Sequence, residues 1–102
     1  MSSSGQPTVV NVEQGKSVLY FTAAFCGPCQ RIKPIFENLN HQHGNKIKFY
    51  KMEIGENQEI ADQLNVTTVP TFFFIKEGQI KDTFSGANEA LLKSHVAKLL
   101  AL

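Results

Sequence analysis

The two cysteines of this chain lie in one short segment, residues 25–29, with the sequence Phe-Cys-Gly-Pro-Cys. The segment follows the apolar run 17–21 and precedes a stretch with helical periodicity. We therefore expect Cys26 at the N-terminus of a helix. A free thiol has a pKa of about 8.5 and is mostly protonated at neutral pH. Unpaired amides and the helix dipole would favour the reactive thiolate of Cys26.

This arrangement predicts a thiol–disulfide exchange cycle. Cys29 lies one helical turn after Cys26, close enough to bond to it and shielded behind it. Cys26 attacks a substrate disulfide, a mixed disulfide forms, and Cys29 releases the product by attacking Cys26. Pro28 suits the first turn of a helix, where its missing N–H is not needed. Gly27 lets the backbone of a partner approach.

Three other uses of the cysteine pair remain open. In the first, the pair forms half of a zinc site, but His41 and His43 would lie more than about 20 Å from Cys26 along the same helix. The bond is purely structural in the second, although closing so short a loop gains little entropy. In the third, a binding module or chaperone uses a redox-competent pair.

The composition fits an ordinary soluble globular protein. The chain has 102 residues, of which 42% are hydrophobic and 19% charged, and this length suits a single domain. The net charge of +1 gives no sign of a nucleic-acid surface. No apolar run approaches the roughly 18 residues that span a bilayer. We expect neither nucleic acid nor membrane as a partner.

The N-terminal segment is short and polar. We interpret residues 1–7 as a disordered lead-in and residues 8–102 as one domain. The start of the chain lacks a basic region followed by an apolar one, so no secretory signal is expected. This favours a cytoplasmic location. The alternative is a mitochondrial protein from which a transit peptide was removed.

Hydrophobic periodicity predicts an alternation of strands and helices. The predicted elements are a possible strand at 8–12, a strand at 17–22, a helix from 26 to about 43, a strand at 46–54, a helix at 58–64, strands at 71–75 and 79–84 joined by a turn, and a helix at 89–100. The last helix has a broad apolar face, formed by Leu91, Leu92, His95, Val96, Leu99 and Leu100. This order predicts a right-handed βαβ unit followed by an antiparallel hairpin, in a mixed sheet with helices on both faces.

Several motifs in this order resemble those of the thioredoxin family. The resemblance runs from about residue 17 to residue 100. It is carried by residues 20–29 (Tyr-Phe-Thr-Ala-Ala-Phe-Cys-Gly-Pro-Cys), by Pro34, and by the segments 68–71, 76–78 and 84–87. The resemblance implies an α/β thioredoxin fold and a protein-disulfide reductase. It also implies thioredoxin reductase as the electron donor and disulfide-containing proteins as clients.

The chain is expected to need no bound cofactor and no metal, because its redox group is the Cys26–Cys29 pair. It contains no phosphate-cradling glycine loop for a nicotinamide or flavin. Two rival functions are a non-catalytic binding or adaptor protein of the same fold and a disulfide oxidase or isomerase. The middle residues Gly27 and Pro28 resemble those of the reducing members of the family.

The resemblance also implies roles for positions outside the cysteine segment. Pro70 corresponds to a cis-proline that faces the cysteines, which would expose the backbone of Val69 for pairing with a client. Gly86 corresponds to a glycine of the binding surface. Lys51 corresponds to a lysine that lies near the sulfurs from beneath.

Two substitutions depart from the family pattern near the cysteines. Phe25 replaces the usual Trp and keeps an apolar surface without the indole N–H. Tyr20 replaces the buried Asp that is taken to accept the proton of the second cysteine. With a pKa of about 10, a tyrosine is a poor base at neutral pH, and we expect it to fill the core. Lys51, a water molecule or Glu53 then takes over the proton, or the resolving step is slower.

The third departure concerns the N-terminus. About four residues separate the run 8–12 from the strand at 17–22, whereas a parallel crossover needs about 10–12. We therefore expect the family's first helix to be missing, with a four-stranded core and an irregular or antiparallel N-terminal arm. One sheet face would then carry an uncovered apolar patch. The expected oligomeric state is a monomer or weak dimer.

Overall fold

The computed structural model describes residues 14–102. Within this range, the order of strands and helices agrees closely with the order predicted from the sequence. The elements are β1 (Lys16–Thr22), α1 (Gly27–His43), β2 (Ile47–Glu53), a 3₁₀ turn (Ile54–Glu56), α2 (Gln58–Gln63), β3 (Thr71–Lys76), β4 (Gln79–Ser85) and α3 (Glu89–Ala101). The predicted lead-in at 1–7, the strand at 8–12 and the loss of the first helix concern residues outside the described range.

The four strands form one mixed sheet in the order β2-β1-β3-β4. β1 and β2 are parallel, and α1 makes the crossover between them. β3 runs antiparallel to both of its neighbours, β1 and β4. The central position of β1 explains its nearly continuous apolar sequence, because both of its faces are buried. The predicted mixed sheet with flanking helices is confirmed.

Side-chain alternation along β1 divides the core between the two sheet faces. Val18 and Tyr20 belong to the cluster under α1 and α3, whereas Leu19 and Phe21 belong to the cluster on the α2 side. The helices contribute buried stripes at helical spacing to the first cluster, consisting of Ile32, Phe36 and Leu39 from α1 and Leu92, Val96 and Leu99 from α3.

The buried face of α3 is narrower than the broad apolar face predicted from the sequence. Leu91 is 39% exposed, because the buried stripe of the helix follows Leu92, Val96 and Leu99. Leu91 precedes this stripe by one residue, which rotates its side chain toward solvent. His95 does pack inward, with its ring centroid 5.1 Å from that of Phe74.

The prediction of an uncovered apolar patch on one sheet face is wrong, as far as the described residues of the α2 face are concerned. Leu19, Phe21, Phe73 and Ile75 are each no more than 5% exposed. Ala61 of α2 is buried in the same cluster. Partly buried side chains from β2, the 3₁₀ turn, α2 and the loop after α2 pack against this cluster, namely Tyr50, Ile54, Ile60, Leu64, Val66 and Val69.

Local signals fix the ends of several elements. Asn88 caps α3 through its side chain, which accepts a hydrogen bond from the N–H of Leu91 at 2.9 Å. Glu77 and Gly78 connect β3 to β4 with φ values of +51° and +79°. Positive φ at both central residues is typical of a tight hairpin turn. None of the helices within residues 14–102 is long and apolar enough to cross a membrane.

A candidate redox-active site

Cys26 lies where β1 ends and α1 begins, and it is the N-cap residue of the helix. Its backbone is extended (φ −131°, ψ 108°), and its Sγ accepts a hydrogen bond from the N–H of Cys29 at 3.1 Å. Its carbonyl oxygen accepts the first helical hydrogen bond, from Gln30 N at 3.1 Å. The sulfur thus occupies the place of a capping oxygen, where helix amides and the dipole favour negative charge.

The two cysteines are joined by a disulfide bond, with their Cα atoms 5.2 Å apart. Cys29 is 2% exposed and Cys26 is 9% exposed, so Cys26 is the outer sulfur. The residues around them are open to solvent: Phe25, Gly27 and Pro28 are exposed. A Cβ placed on Gly27 would have no neighbour within 4 Å. A partner can therefore approach the outer cysteine closely.

A second segment, at the start of β3, faces the cysteines. The Val69–Pro70 peptide bond is cis, as the resemblance implied. The carbonyl oxygen of Val69 lies 3.8 Å from Cys26 Sγ. Gly86, with a φ of +104°, donates its N–H to the carbonyl oxygen of Pro70 at 2.9 Å. The structure therefore brings Val69, Pro70 and Gly86 to the side of the site where Cys26 lies.

Hydroxyl groups that the sequence analysis did not single out hold this segment in place. Thr71 Oγ1 donates to the carbonyl oxygen of Thr68 at 2.7 Å and lies 3.0 Å from Ser85 Oγ. A signal was present, because Thr71 is a polar residue at the head of a strongly apolar strand. Its hydroxyl joins the loop before β3 to the end of β4.

A cavity of about 180 Å³ lies behind the disulfide, between α1 and the carboxyl ends of β1 and β2. Its lining includes Cys29, Gln30 and Lys33 of α1, together with Tyr20, Lys51 and Glu53 of the strands. Lys51 and Cys29 thus border the same space. Gln30 and Lys33 were missed, although Lys33 lies four residues after Cys29 and so on the same side of the helix.

Tyr20 has two structural roles in the site. Its ring packs 4.7 Å from the Phe36 ring and 5.0 Å from the Phe72 ring, between centroids. Its hydroxyl donates to the carbonyl oxygen of Cys29 at 2.9 Å. Burial raises the pKa of Tyr20 above its ordinary value of 10.0. The phenol therefore stays protonated at neutral pH and cannot serve as the base for Cys29.

The geometry disfavours the zinc hypothesis. His41 and His43 lie in the last turn of α1, at the opposite end of the helix from Cys26. Within residues 14–102, no three His, Cys, Asp or Glu side chains are grouped so that they could hold a metal ion.

Comparison with known proteins gives consistent matches. A family model described as Thioredoxin matches residues 5–98. The chain is 41% identical over 80 residues to a thioredoxin of Ictalurus punctatus, covering 78% of this chain and 75% of the relative. It is 39% identical to human thioredoxin over 83 residues, covering 81% and 78%. It also matches a TPR repeat-containing thioredoxin of Arabidopsis thaliana at 38% identity, of which it spans 21%.

Solved structures give the same result. A thioredoxin of Malassezia sympodialis superposes with a TM-score of 0.81 at 36% identity, covering 87% of this chain and 80% of that one. A thioredoxin of Fasciola hepatica gives a TM-score of 0.80 at 38% identity, covering 84% and 82%. With a family model that spans nearly the whole sequence and a disulfide at the head of α1, the chain belongs to the thioredoxin family.

Proposed function

We propose that this chain reduces protein disulfides through a dithiol–disulfide cycle of Cys26 and Cys29, as a thiol–disulfide oxidoreductase. The observation that carries the proposal is the position of Cys26 Sγ, which caps α1 and is bonded to the more buried Cys29. In the reduced protein, Cys26 attacks a client disulfide and forms a mixed disulfide. Cys29 then attacks Cys26, which regenerates the intramolecular disulfide and releases the reduced client.

Client binding uses the exposed surface around Cys26. An extended client segment pairs with the backbone of Val69, beside the cis-proline Pro70, in the manner of strand addition. The backbone positions at Gly27 and Gly86 carry no side chain, and a Cβ at either would meet nothing within 4 Å. This open space supports the close approach of a client backbone. Phe25 adds an apolar contact.

Electrons come from thioredoxin reductase, and the chain itself holds no further cofactor in this proposal. Its clients are proteins with accessible disulfides. The membership in the thioredoxin family supports a reductase partner and disulfide-containing clients. We place the protein in the cytoplasm, with the mitochondrion as the alternative. Immunodetection in separated cytosolic and mitochondrial fractions distinguishes the two.

An insulin reduction assay with NADPH and thioredoxin reductase tests the function. We expect turnover by the wild type and none by Cys26→Ser or Cys29→Ser. Cys29→Ser should accumulate a mixed disulfide between Cys26 and the client, whereas Cys26→Ser should not. The absence of turnover by the wild type would contradict the proposal and favour a non-catalytic binding protein.

A further inference from the structure

The resolving cysteine lacks a proton acceptor at the position where the family has one. Cys29 is 2% exposed, and burial disfavours the charged form of a thiol. Its proton must nevertheless leave before Cys29 can attack Cys26, because the thiolate is the nucleophile. Tyr20 cannot accept it, since its hydroxyl is a protonated donor to the carbonyl oxygen of Cys29.

The parallel pairing of β1 with β2 brings another group to this place. The register sets Glu53 opposite Thr22 and Lys51 opposite Tyr20. The carboxyl ends of the two strands therefore meet under the first turns of α1, where the cavity behind Cys29 opens. Its volume of about 180 Å³ exceeds the roughly 10–15 Å³ of cavity volume that one water molecule needs.

Glu53 supplies the only carboxylate among the described residues that line this cavity. Its Oε2 accepts a hydrogen bond from the N–H of Ala24 at 3.1 Å, and its Oε1 accepts one from Gly55 at 3.0 Å. These two bonds fix the carboxylate between the cysteine loop and the end of β2. Each oxygen has two lone pairs, so each keeps capacity to bind a water molecule.

The other charged groups of the cavity cannot replace Glu53. Lys33 and Lys51 border it from α1 and β2, but an ammonium group has three donors and no acceptor. The Lys33 ammonium also lies 3.9 Å from the Glu37 carboxylate, and both side chains are about half exposed to solvent. Positive charge along the cavity would instead stabilise the thiolate that forms at Cys29.

We propose that Glu53 accepts the proton of Cys29 in the resolving step, through a water molecule in this cavity. The inference rests on the proposed function. The proton on Cys29 Sγ passes to the water, which gives a proton to the Glu53 carboxylate. The electron pair left on Cys29 Sγ forms the bond to Cys26 Sγ. The bond between Cys26 and the client sulfur breaks, and the client leaves as a thiolate. Glu53 later returns its proton to solvent.

The substitution Glu53→Gln tests the role, with dithiobis(nitrobenzoate) as the disulfide in rapid-mixing experiments. This probe releases one coloured thiol when Cys26 attacks and a second when Cys29 resolves the mixed disulfide, so the two steps are measured separately. We expect the second step to slow about tenfold or more at pH 7, within the range typical of general bases. The difference between the second-step rates of wild type and Glu53→Gln should narrow as the pH rises, because hydroxide then removes the Cys29 proton without help from Glu53.

Two controls separate proton transfer from damage to the loop. Glu56→Gln removes an exposed carboxylate in the neighbouring 3₁₀ turn and should leave both steps unchanged. Glu53→Gln in a Cys29→Ser background should leave the attack by Cys26 within about twofold. Three results for Glu53→Gln would overturn the inference. These are equal slowing of both steps, slowing of the second step by the same factor at every pH, and a second step that keeps its wild-type rate. A wild type that releases no coloured thiol would instead contradict the proposed function.

Discussion

Tyr20 stands at the position of the buried Asp in the family pattern, but it does not take over the role of that Asp as a proton acceptor. It lies on a central strand, and its ring packs in the core between Phe36 and Phe72, stacked on the Phe72 ring. Its hydroxyl reaches the backbone of Cys29. The residue therefore attaches the active-site helix to the sheet, and the burial that makes this attachment effective also removes the phenol from acid–base work.

Replacing Tyr20 with Phe should affect stability and leave the chemistry intact. At neutral pH we expect the free energy of unfolding to fall by about 1 kcal/mol, the usual contribution of one hydrogen bond. The pKa of Tyr20 is raised in the folded state, so the folded protein keeps a proton that the unfolded chain loses. Wild-type stability should therefore decline as the pH rises above about 10, and Tyr20→Phe should lack this part of the decline. Urea unfolding of the oxidised protein at several pH values measures both effects.

The matched comparison is Tyr20→Leu, which loses the ring as well and should be less stable than Tyr20→Phe. The two steps measured with dithiobis(nitrobenzoate) should keep their pH profiles in Tyr20→Phe. A shifted profile for the second step would show that the phenol takes part in proton transfer, against the role given to it here.

Gly86 offers a test of backbone conformation in the site. Its φ of +104° is rarely adopted by residues with side chains, and a Cβ there would meet no atom within 4 Å. Gly86→Ala should therefore lower stability through backbone strain alone, by about 1–3 kcal/mol. Gly27→Ala is the control, because Gly27 is equally free of neighbours and lies in a helix, where Ala is favoured. Equal stabilities of the two variants in urea unfolding would contradict this interpretation.

At the scale of elements, α3 depends on the N-cap residue that precedes it. Asn88 Oδ1 accepts the N–H of Leu91 at 2.9 Å, and the helix buries Leu92, Val96 and Leu99 against the sheet. Asn88→Ala should lower the free energy of unfolding by about 1 kcal/mol, whereas Asn88→Asp retains a capping oxygen and should change it little. Thermal unfolding followed by circular dichroism measures both variants. An alanine variant as stable as the aspartate variant would exclude a role for the cap.

The elements were predictable because their signals are local. Apolar runs, the cap at Asn88 and the turn at Glu77 and Gly78 each lie within a few residues, and the observed boundaries differ from the predicted ones by no more than one residue. The outward orientation of Leu91 was not predictable in this way. Which side of a broad apolar helix faces inward depends on the angle at which the helix lies on the sheet, a property of the packing.

At the scale of the whole molecule, the sheet order assembles the site from distant parts of the sequence. β1 lies between β2 and β3, so the cysteine segment after β1 meets the Val69–Pro70 segment on one side and Glu53 on the other. The cysteine pair and its position at a helix start followed from the sequence. The cavity did not, because its lining depends on the register of β1 with β2, which no local pattern specifies.

The exposure of Phe25 makes a prediction about the whole surface that meets a client. Its side chain is fully exposed, at 101% of the reference area, directly before the outer cysteine. Full burial of such a side chain is worth about 1.5–3 kcal/mol, and each 1.4 kcal/mol corresponds to about tenfold in affinity. Phe25→Ala should therefore raise the KM for a protein client such as insulin about tenfold. Stability, and reaction with dithiobis(nitrobenzoate), should not change.

Ile80→Ala is the matched control, because Ile80 is also an exposed large hydrophobic residue, at 47%. It lies near the hairpin turn, at the end of the β3–β4 pair opposite to Thr71 and Ser85. Its removal should leave the KM for insulin unchanged. An equal rise in both variants would mean that clients bind apolar surface without regard to the site. A loss of reactivity toward the small disulfide in Phe25→Ala would place Phe25 in the chemistry of Cys26, because a small disulfide does not extend over the surface on which a protein client is bound.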